Sequence, residues 1–459
     1  VKAEWNNRYS YVGLTVVFVA SRFLFWVAGV QFYGSFAHRM WQLLDLNWLR
    51  TNFLESIWYC HAQPPVFNAL TALVVKTFPD HYYFVFHVLM LLFSWATSLL
   101  IFSTLDQLKV SKPICFVISI FFLLNPALVL YENLYSYTLL TIFLIASITF
   151  VLVKFVYSRK LSDWGMFASL ATVLCLTRSS FHFIWLALVF VFLWRICQRD
   201  KKFLAVTAMA LLLVFSWYVK NLVLFGSFSS SSWFGMNIAR VIQPHSSLGQ
   251  IGPFKPVAAY DDYIPSLNPY PRVAALSNAF KSQGYVNFNH YAYLNVSGQL
   301  KADVVDEIQH HPGVYIRAVG NAFVAYFNPS THAPFVDKNF VTMDAYARWL
   351  TFDFTTWTHY DRHDLSATAA LPALLIYILV FGVLIVYGRP YFRDLNTRIV
   401  VIFLTFMITY GMLVGNLFEY GENNRFRFET HTCFLVLAAL ALDRFFRKFR
   451  NSCTQKDSM

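Results

Sequence analysis

The sequence predicts an all-α protein that crosses a membrane many times. Three observations predict it. Of 459 residues, 57% are hydrophobic and 13% charged, whereas an average soluble domain is about a quarter charged. Apolar runs long enough to cross about 30 Å of hydrocarbon, each of about 20 helical residues, recur along most of the chain. The chain also holds 48 Phe, 26 Tyr and 13 Trp, as expected where many rings sit at headgroup depth. Mean hydropathy is +0.48.

Spans are expected at about 11–30, 82–106, 113–131, 137–157, 163–177, 181–197, 203–224, 366–388, 399–418 and 430–446. The first run is too long and too aromatic for a secretory leader, and no small-residue cleavage site follows it, so it is expected to be retained. The stretch 62–78, "AQPPVFNALTALVVKTF", is an eleventh span or a helix lying at the interface. About 10–11 transmembrane helices are therefore expected.

Charge separates the two arrangements. If 62–78 does not cross, then Lys2, Arg8, Lys109, Lys112, "KFVYSRK", "RICQRDKK", "GRPYFRDLNTR" and "RFFRKFR" share one side. If it crosses, the clusters from Lys109 onward lie opposite the N-terminus. The positive-inside rule favours the first arrangement, with both termini cytoplasmic. The same clusters account for the net charge of +12, so no nucleic-acid partner is expected. Six cysteines are scattered without a CxxC or Cys/His spacing, which supports neither a disulfide scaffold nor a structural zinc site.

This topology divides the chain in three. Residues 1–224 form an N-terminal transmembrane module with a first outer loop at 31–80. Residues 225–365 form an extracytoplasmic insert. Residues 366–459 form a C-terminal transmembrane module and tail. The insert opens on "SFSSSSWFG" and continues through the irregular "GPFKPVAAYDDYIPSLNPYPR". "GQLKADVVDEIQHH" has helical spacing and stops before Pro312. "PGVYIRAVGNAFVAYF" follows as an amphipathic helix, expected to lie on the membrane. Asn295 in "NVS" is a glycosylation sequon, consistent with a lumenal face, whereas Asn328 in "NPS" is blocked by its proline.

The outer face collects residues that could do chemistry. The first loop reads as interfacial helices with Trp41, Trp48 and Trp58 at headgroup depth. Its carboxylates Asp45 and Glu55 suit a general base, a metal ligand or a solvated charge. His61 and Gln63 suit a ligand contact, or caps for the turn that Pro64 and Pro65 enforce. Arg22 lies inside the first span, where an unpaired charge is costly, so it is a functional group or half of an ion pair. Glu132 sits in "LYENLYSY" beside Tyr131, Tyr135 and Tyr137. Arg178 and His182 bracket another outer turn, Lys220 and Asn221 end a span, and Arg425 and Arg427 flank Phe426. A guanidinium fork suits phosphate, and a lipid presents phosphate at an apolar boundary. Each cation alone is also a plain interfacial anchor. Their gathering on one face points to an anionic lipid-linked ligand. No P-loop, dinucleotide turn, zinc motif or nucleophile elbow is present.

Several of these stretches, taken in order, resemble the GT-C superfamily of polytopic glycosyltransferases. The resemblance is to the dolichyl-phosphate-mannose protein mannosyltransferase and aminoarabinose transferase branch. "HAQPPVFNALTALVVKTF" resembles the Pro-Pro element that closes the branch's first outer loop. "NPALVLYENLYSYTLL" resembles its outer turn after the third span. "WYVKNLVLFGSF" with "SSSSWFGMNI" resembles the entry to its late outer loop. "EIQHHPGVYIRAVGNAFVAYFNP" resembles a helix of that loop, and "NNRFRFETHTCFLVLAALAL" the terminal arginine-bearing turn and last span.

The resemblance implies an inverting transfer of a sugar from a polyprenyl- or dolichyl-phosphate donor to a protein, glycan or lipid acceptor on the lumenal or periplasmic face. It implies a first-loop carboxylate that takes the acceptor's proton and Arg or Lys groups that hold the lipid phosphate. The mannosyltransferases carry an Asp-Glu pair at the end of the first span. Here that region reads "GVQFYGSFAH", with no acid. Asp45 is therefore the expected base, with Glu55 or Glu132 as second acid. Arg178, Lys220, Arg425 and Arg427 are the expected phosphate ligands. His61, Gln63, Tyr135, His182 and Asn221 line the expected substrate site. No ligand spacing calls for a resident metal or cofactor. The endoplasmic reticulum is the expected location, with a bacterial inner membrane as the alternative. A rival expectation is a non-catalytic GT-C-like protein that binds lipid or serves as a complex subunit. A transporter fits less well, because the chain shows no repeat and its polar groups avoid the midplane.

Overall fold

A computed structural model describes residues 7–194, 200–243, 254–263, 269–332, 337–351 and 367–456. The basic segment at 195–199 and parts of the insert, at 244–253, 264–268, 333–336 and 352–366, lie outside the described residues, as do both chain ends. Among the described residues all regular structure is helical.

The chain opens with α1 (Asn7–Val27). Three short helices of the first outer loop follow: α2 (Phe36–Arg39), α3 (Leu46–Thr51) and α4 (Phe53–Trp58). Then come α5 (Val66–Thr77), α6 (Tyr82–Gln107), α7 (Lys112–Leu123), α8 (Pro126–Glu132) and α9 (Tyr137–Ser158). The first half closes with α10 (Leu161–Cys175), α11 (Phe183–Trp194) and α12 (Lys201–Phe225). The insert holds α13 (Phe234–Ile242), a 3-10 stretch at Val257–Tyr263, α14 (Ala274–Ser277), α15 (Ala292–His310), α16 (Pro312–Phe327) and α17 (Asp337–Thr351). The chain ends with α18 (Ala367–Tyr387), α19 (Arg389–Arg393), α20 (Leu395–Phe418), α21 (Asn423–Glu429) and α22 (His431–Lys456).

Each expected span falls on a helix, except that at 113–131, which falls on the two helices α7 and α8, and the helices are not equally long. Among the described residues six are long and apolar enough to cross a membrane: α1, α6, α9, α12, α18 and α20. The bent pair α7–α8 is a seventh candidate. The expected spans at 163–177 and 181–197 are α10 and α11, with 15 and 12 residues. The stretch 62–78 contains α5, whose 12 residues rise only about 18 Å at 1.5 Å per residue, short of a full crossing. The expected last span is the first part of α22. This is an all-α polytopic membrane protein.

Sequence explains which helices are central. α9, "YTLLTIFLIASITFVLVKFVYS", is apolar all round and is the most enclosed of the long helices. It packs against α6, α10, α20, α21 and α22. α1 carries its apolar side chains outward, with Val12, Val16, Val19 and Phe23 exposed, as a lipid-facing helix does.

The break in the α7–α8 pair has a clear cause. Asn125 caps α8 by accepting from the Ala127 amide at 2.9 Å, and Pro126 occupies its first turn. The chain bends there by 51°. Broken backbone inside a bilayer is tolerated only where its polar groups find partners. Here Arg22 donates to the Leu123 carbonyl at 2.7 Å, and the Tyr346 hydroxyl donates to the Leu124 carbonyl.

The insert builds a smaller core of its own. Met236 and Ile242 from α13 meet Phe288 and, from α15, Tyr293, Val296 and Leu300, and Ala62 of the first loop joins them. α13 and α15 approach through Gly235, whose amide donates to Ser297 Oγ at 3.0 Å. A Cβ at Gly235 would lie 1.7 Å from the Ser297 carbonyl oxygen. Gly235→Ala is therefore expected to cost at least the about 1–3 kcal/mol typical of overpacking, because backbone must yield. Thermal unfolding in detergent checks this, with Gly298→Ala as the control, since nothing lies within 4 Å of a Cβ there. The expected amphipathic helix at 312–327 is α16. Its small residues Ala318, Ala322 and Ala325 are buried, and the helix packs against α18, α20 and α21. Asn295 is exposed on α15.

Candidate functional site

Connectors far apart in sequence meet at one end of the bundle. The Tyr33 amide donates to the Asn133 carbonyl at 2.8 Å, tying the first loop to the α8–α9 turn. The Val66 amide donates to the Leu176 carbonyl at 2.9 Å, tying the Pro-Pro turn to the end of α10. The Tyr315 hydroxyl donates to the Leu417 carbonyl at 2.8 Å, tying the insert to the end of α20.

The Pro-Pro turn is held from both sides. His61 donates from Nε2 to the Asn289 carbonyl at 3.0 Å, so its Nδ1 accepts from Ser232 Oγ at 2.7 Å. The Asn289 side chain accepts from the amides of His61 and Ala62 at 2.8 and 3.0 Å. Gln63 is buried and lies 3.5 Å from Ser179 Oγ. Pro64 is buried and Pro65 partly so; both lack amide protons, so the turn leaves fewer donors to satisfy. In this arrangement His61 is a clamp between loop and insert.

Asp45 is occupied in the same way. It caps α3, its Oδ1 accepting from the amides of Asn47 and Trp48 at 2.8 and 3.2 Å. Its Oδ2 accepts from the Ser282 amide and hydroxyl at 2.8 and 2.7 Å. Beside it, Lys281 donates to the carbonyls of Met40 and His38 at 2.8 and 3.2 Å. Four hydrogen bonds leave the carboxylate little capacity to take an acceptor's proton while the turn carrying Ser282 stays in place. Glu132, the expected second acid, is fully buried and paired with Arg22. Arg22 Nε lies 2.8 Å from Glu132 Oε2, and Nη2 pairs with Oε1. The intramembrane arginine is therefore half of an ion pair. Glu55 differs from both: it is exposed on α4 and makes no side-chain bond among the described residues.

The cations separate into three environments. Lys220 donates to the carbonyls of Cys60 and Trp58 at 2.7 and 3.1 Å and lies 3.6 Å over the Trp217 ring. It thus serves the carbonyl end of α4 and the residues just beyond it. Its neighbour Asn221 donates to the Ser229 carbonyl at 2.7 Å, shaping the exit from α12.

Arg178 and Arg425 come together. Arg178 Nε lies 3.3 Å from Glu429 Oε1, and Arg425 lies 2.6 Å from Glu422 and 3.9 Å from Glu429. Both guanidinium groups sit over the Tyr137 ring, at 4.8 and 5.5 Å. At the rim, Arg240 of α13 reaches Glu419 and Glu422 at 3.7 and 4.0 Å. Three arginines thus face three glutamates. Burial works against the Arg425 charge, but Glu422, Tyr137 and Glu429 outweigh it and hold the group protonated.

Arg427 points elsewhere. Its Nε and Nη2 donate to the carbonyls of Tyr326 and Asn328, each at 2.8 Å. No carboxylate faces it among the described residues. It lines a cavity of about 140 Å³ between α16, α18, α21 and α22. Two expected residues stay apart from all these groups. Tyr135 shares a hydrogen bond with Thr71 at 2.9 Å and stacks on Phe86, their ring centres 3.7 Å apart. His182 packs against the Tyr218 ring at 5.0 Å.

Sequence reasoning did not single out Asn289, Ser232, Lys281, Ser282, Glu422 or Glu429 as site residues. For the two glutamates a signal was present. Glu422 and Glu429 stand three residues before and four after Arg425, the spacing at which helical side chains meet. The others come from the insert, and nothing local marks them.

His61 and Lys281 set how the junction responds to pH. Burial, reinforced by the Lys220 charge, pushes the His61 imidazole down to about 3. Burial pushes the Lys281 ammonium down to about 7, with Asp45 opposing. Both groups hold a proton more readily in the unfolded chain, so stability rises with pH across each window. The windows run from about 3 to the ordinary 6.5 for His61, and from about 7 to the ordinary 10.5 for Lys281. The thermal midpoint is expected to rise between about pH 7 and about pH 9, and Lys281→Met should flatten that rise. A wild type whose midpoint is level across this range would contradict the assignment.

No protein-family model matches the chain, and none of the curated proteins compared with it matches.

Proposed function

We propose that the protein is a membrane glycosyltransferase of the GT-C type. It transfers a sugar from a polyprenyl- or dolichyl-phosphate donor to an acceptor at the face where the connectors meet. A lumenal face of the endoplasmic reticulum, or the periplasmic face of a bacterial inner membrane, fits this reading. The observation that carries it is the convergence at one end of the bundle. The first loop, the Pro-Pro turn, the insert and the α20–α22 turn are bonded together there, beside an arginine that faces an apolar cavity.

In this mechanism Glu55 is the base, because among the described residues its carboxylate alone of the three expected acids has no side-chain partner. It takes the acceptor's proton as the acceptor oxygen attacks C1 of the sugar. The C1–phosphate bond breaks with inversion, and the lipid phosphate leaves with its electron pair. A cation stabilises the charge that builds on the departing phosphate. Asp45 and His61 position the loop rather than touch the reacting atoms.

A second reading is a lipid-binding protein or complex subunit without transferase activity. The saturation of Asp45 and the pairing of Glu132 favour it. The two readings separate in one experiment. Purified protein is given a panel of radiolabelled polyprenyl- and dolichyl-phosphate sugars, with membrane extract as acceptor. Transfer from one donor is expected. Carrier binding without transfer from any donor would replace the first reading with the second.

A further inference from the structure

Asn295-Val296-Ser297 is the only Asn-X-Ser/Thr triplet in the sequence whose middle residue is not proline, the acceptor pattern for an N-linked sugar. It lies in the first two turns of α15, the helix that packs against α13 in the core of the insert. Its residues point in different directions. Asn295 is exposed, whereas Val296 is 1% and Ser297 5% exposed. Ser297 Oγ accepts from the Gly235 amide of α13 at 3.0 Å, so that hydroxyl faces α13 and is closed off from solvent. The split follows from the helix itself: at 3.6 residues per turn, side chains two apart point about 160° away from each other. On the solvent side there is room. Gly298 and Gln299 follow Asn295 on the exposed face, and nothing lies within 4 Å of a Cβ at Gly298.

We propose that Asn295 carries an N-linked glycan that is attached before α15 docks against α13. An enzyme that recognises the triplet must reach the amide and the hydroxyl together, since both define the motif. Folded α15 presents the amide to solvent and buries the hydroxyl under α13. The triplet is therefore readable only before the insert core forms. The donor is a glycosyl diphospholipid. Asn295 Nδ2 attacks C1 of its first sugar, the N–C1 bond forms, and the C1–O bond to the diphosphate breaks. The diphosphate leaves with the bonding electron pair, and the amide nitrogen gives up one proton. Once attached, the sugar projects from the exposed face of α15, so folding buries Ser297 and not the glycan. A glycan there places the insert on a lumenal face. The inference does not depend on what the protein itself transfers.

The test is synthesis of the full chain into eukaryotic microsomes, read as a glycosidase-sensitive mass shift. Wild type is expected to shift, and Asn295→Gln to lose the shift. Phe280→Ser, added to Asn295→Gln, completes a sequon that begins at Asn278, an exposed residue outside any helix of the same insert. That variant reports which face the insert occupies. Wild type without a shift overturns the proposal: a shift in the Phe280→Ser variant then shows that Asn295 is passed over, and no shift there puts the insert on the opposite face. A wild-type shift that survives Asn295→Gln also overturns it, by moving the glycan to another residue. The order of events has its own test. Microsomes depleted of the lipid-linked donor during synthesis, and resupplied after folding, should leave the full chain unmodified while a free peptide of residues 293–301 accepts the sugar. Folded chain and peptide modified alike, or neither modified, would overturn the order, because the state of α15 would then make no difference.

Discussion

Glu132→Ala is expected to destabilise the protein by about 3–5 kcal/mol, the cost of stranding one charge of a buried pair. Glu132 is fully buried, and Arg22 has only 12% of its side chain exposed. Removing the carboxylate leaves a guanidinium inside an apolar bundle beside Phe18, Leu123 and Ser21. The damage extends to the broken span, because Arg22 also serves the Leu123 carbonyl at the end of α7. Replacing both partners by apolar residues, Arg22→Met with Glu132→Leu, should recover much of the loss, since two buried charges disappear together. The Leu123 carbonyl then loses its donor, so recovery stays incomplete. Thermal unfolding of the purified variants in one detergent checks the series. A single substitution that costs less than about 1 kcal/mol, as a surface pair would, contradicts the pairing.

Arg425→Ala is expected to be comparably severe. Arg425 faces Glu422 at 2.6 Å and shares Glu429 with Arg178. Its loss leaves Glu422 with Arg240 alone, at 4.0 Å, and leaves Glu429 with one cation. A cost of about 3–5 kcal/mol follows from the same reasoning. Arg425→Lys should rescue little, because a compact ammonium cannot serve two carboxylates and lie over the Tyr137 ring as a planar fork does. The pairwise coupling is read from a double-mutant cycle with Glu422→Gln. A coupling near zero would show that the cluster is not an energetic unit.

These groups show what the sequence made legible. The six long spans were legible because hydropathy and length alone select lipid-crossing helices. The break between α7 and α8 had its signal in Asn125-Pro126, a helix cap followed by a first-turn proline, but the expected span ran through it. Asp45 had the signal of an N-cap, lying just before a helix that opens with Leu46. Arg425 and Arg427, both expected phosphate ligands, stand two apart, and residues two apart on a helix point to different sides. In the fold they do, one into the glutamate cluster and one into the cavity. Other partnerships had no local signal. Arg22 meets Glu132 across 110 positions and Asp45 meets Ser282 across 237. Only packing brings them together.

The measurement that bears most directly on the transferase account is single-turnover sugar transfer by wild type, Glu55→Gln and Asp45→Asn, with carrier binding measured on the same samples. A positioned general base contributes about 10²–10⁴-fold to rate. Wild type is expected to transfer, Glu55→Gln to keep carrier binding and lose transfer by about that factor, and Asp45→Asn to lose stability first. If Glu55→Gln transfers as fast as wild type, Glu55 is not the base, and if wild type binds the carrier and transfers nothing, the protein is not a transferase.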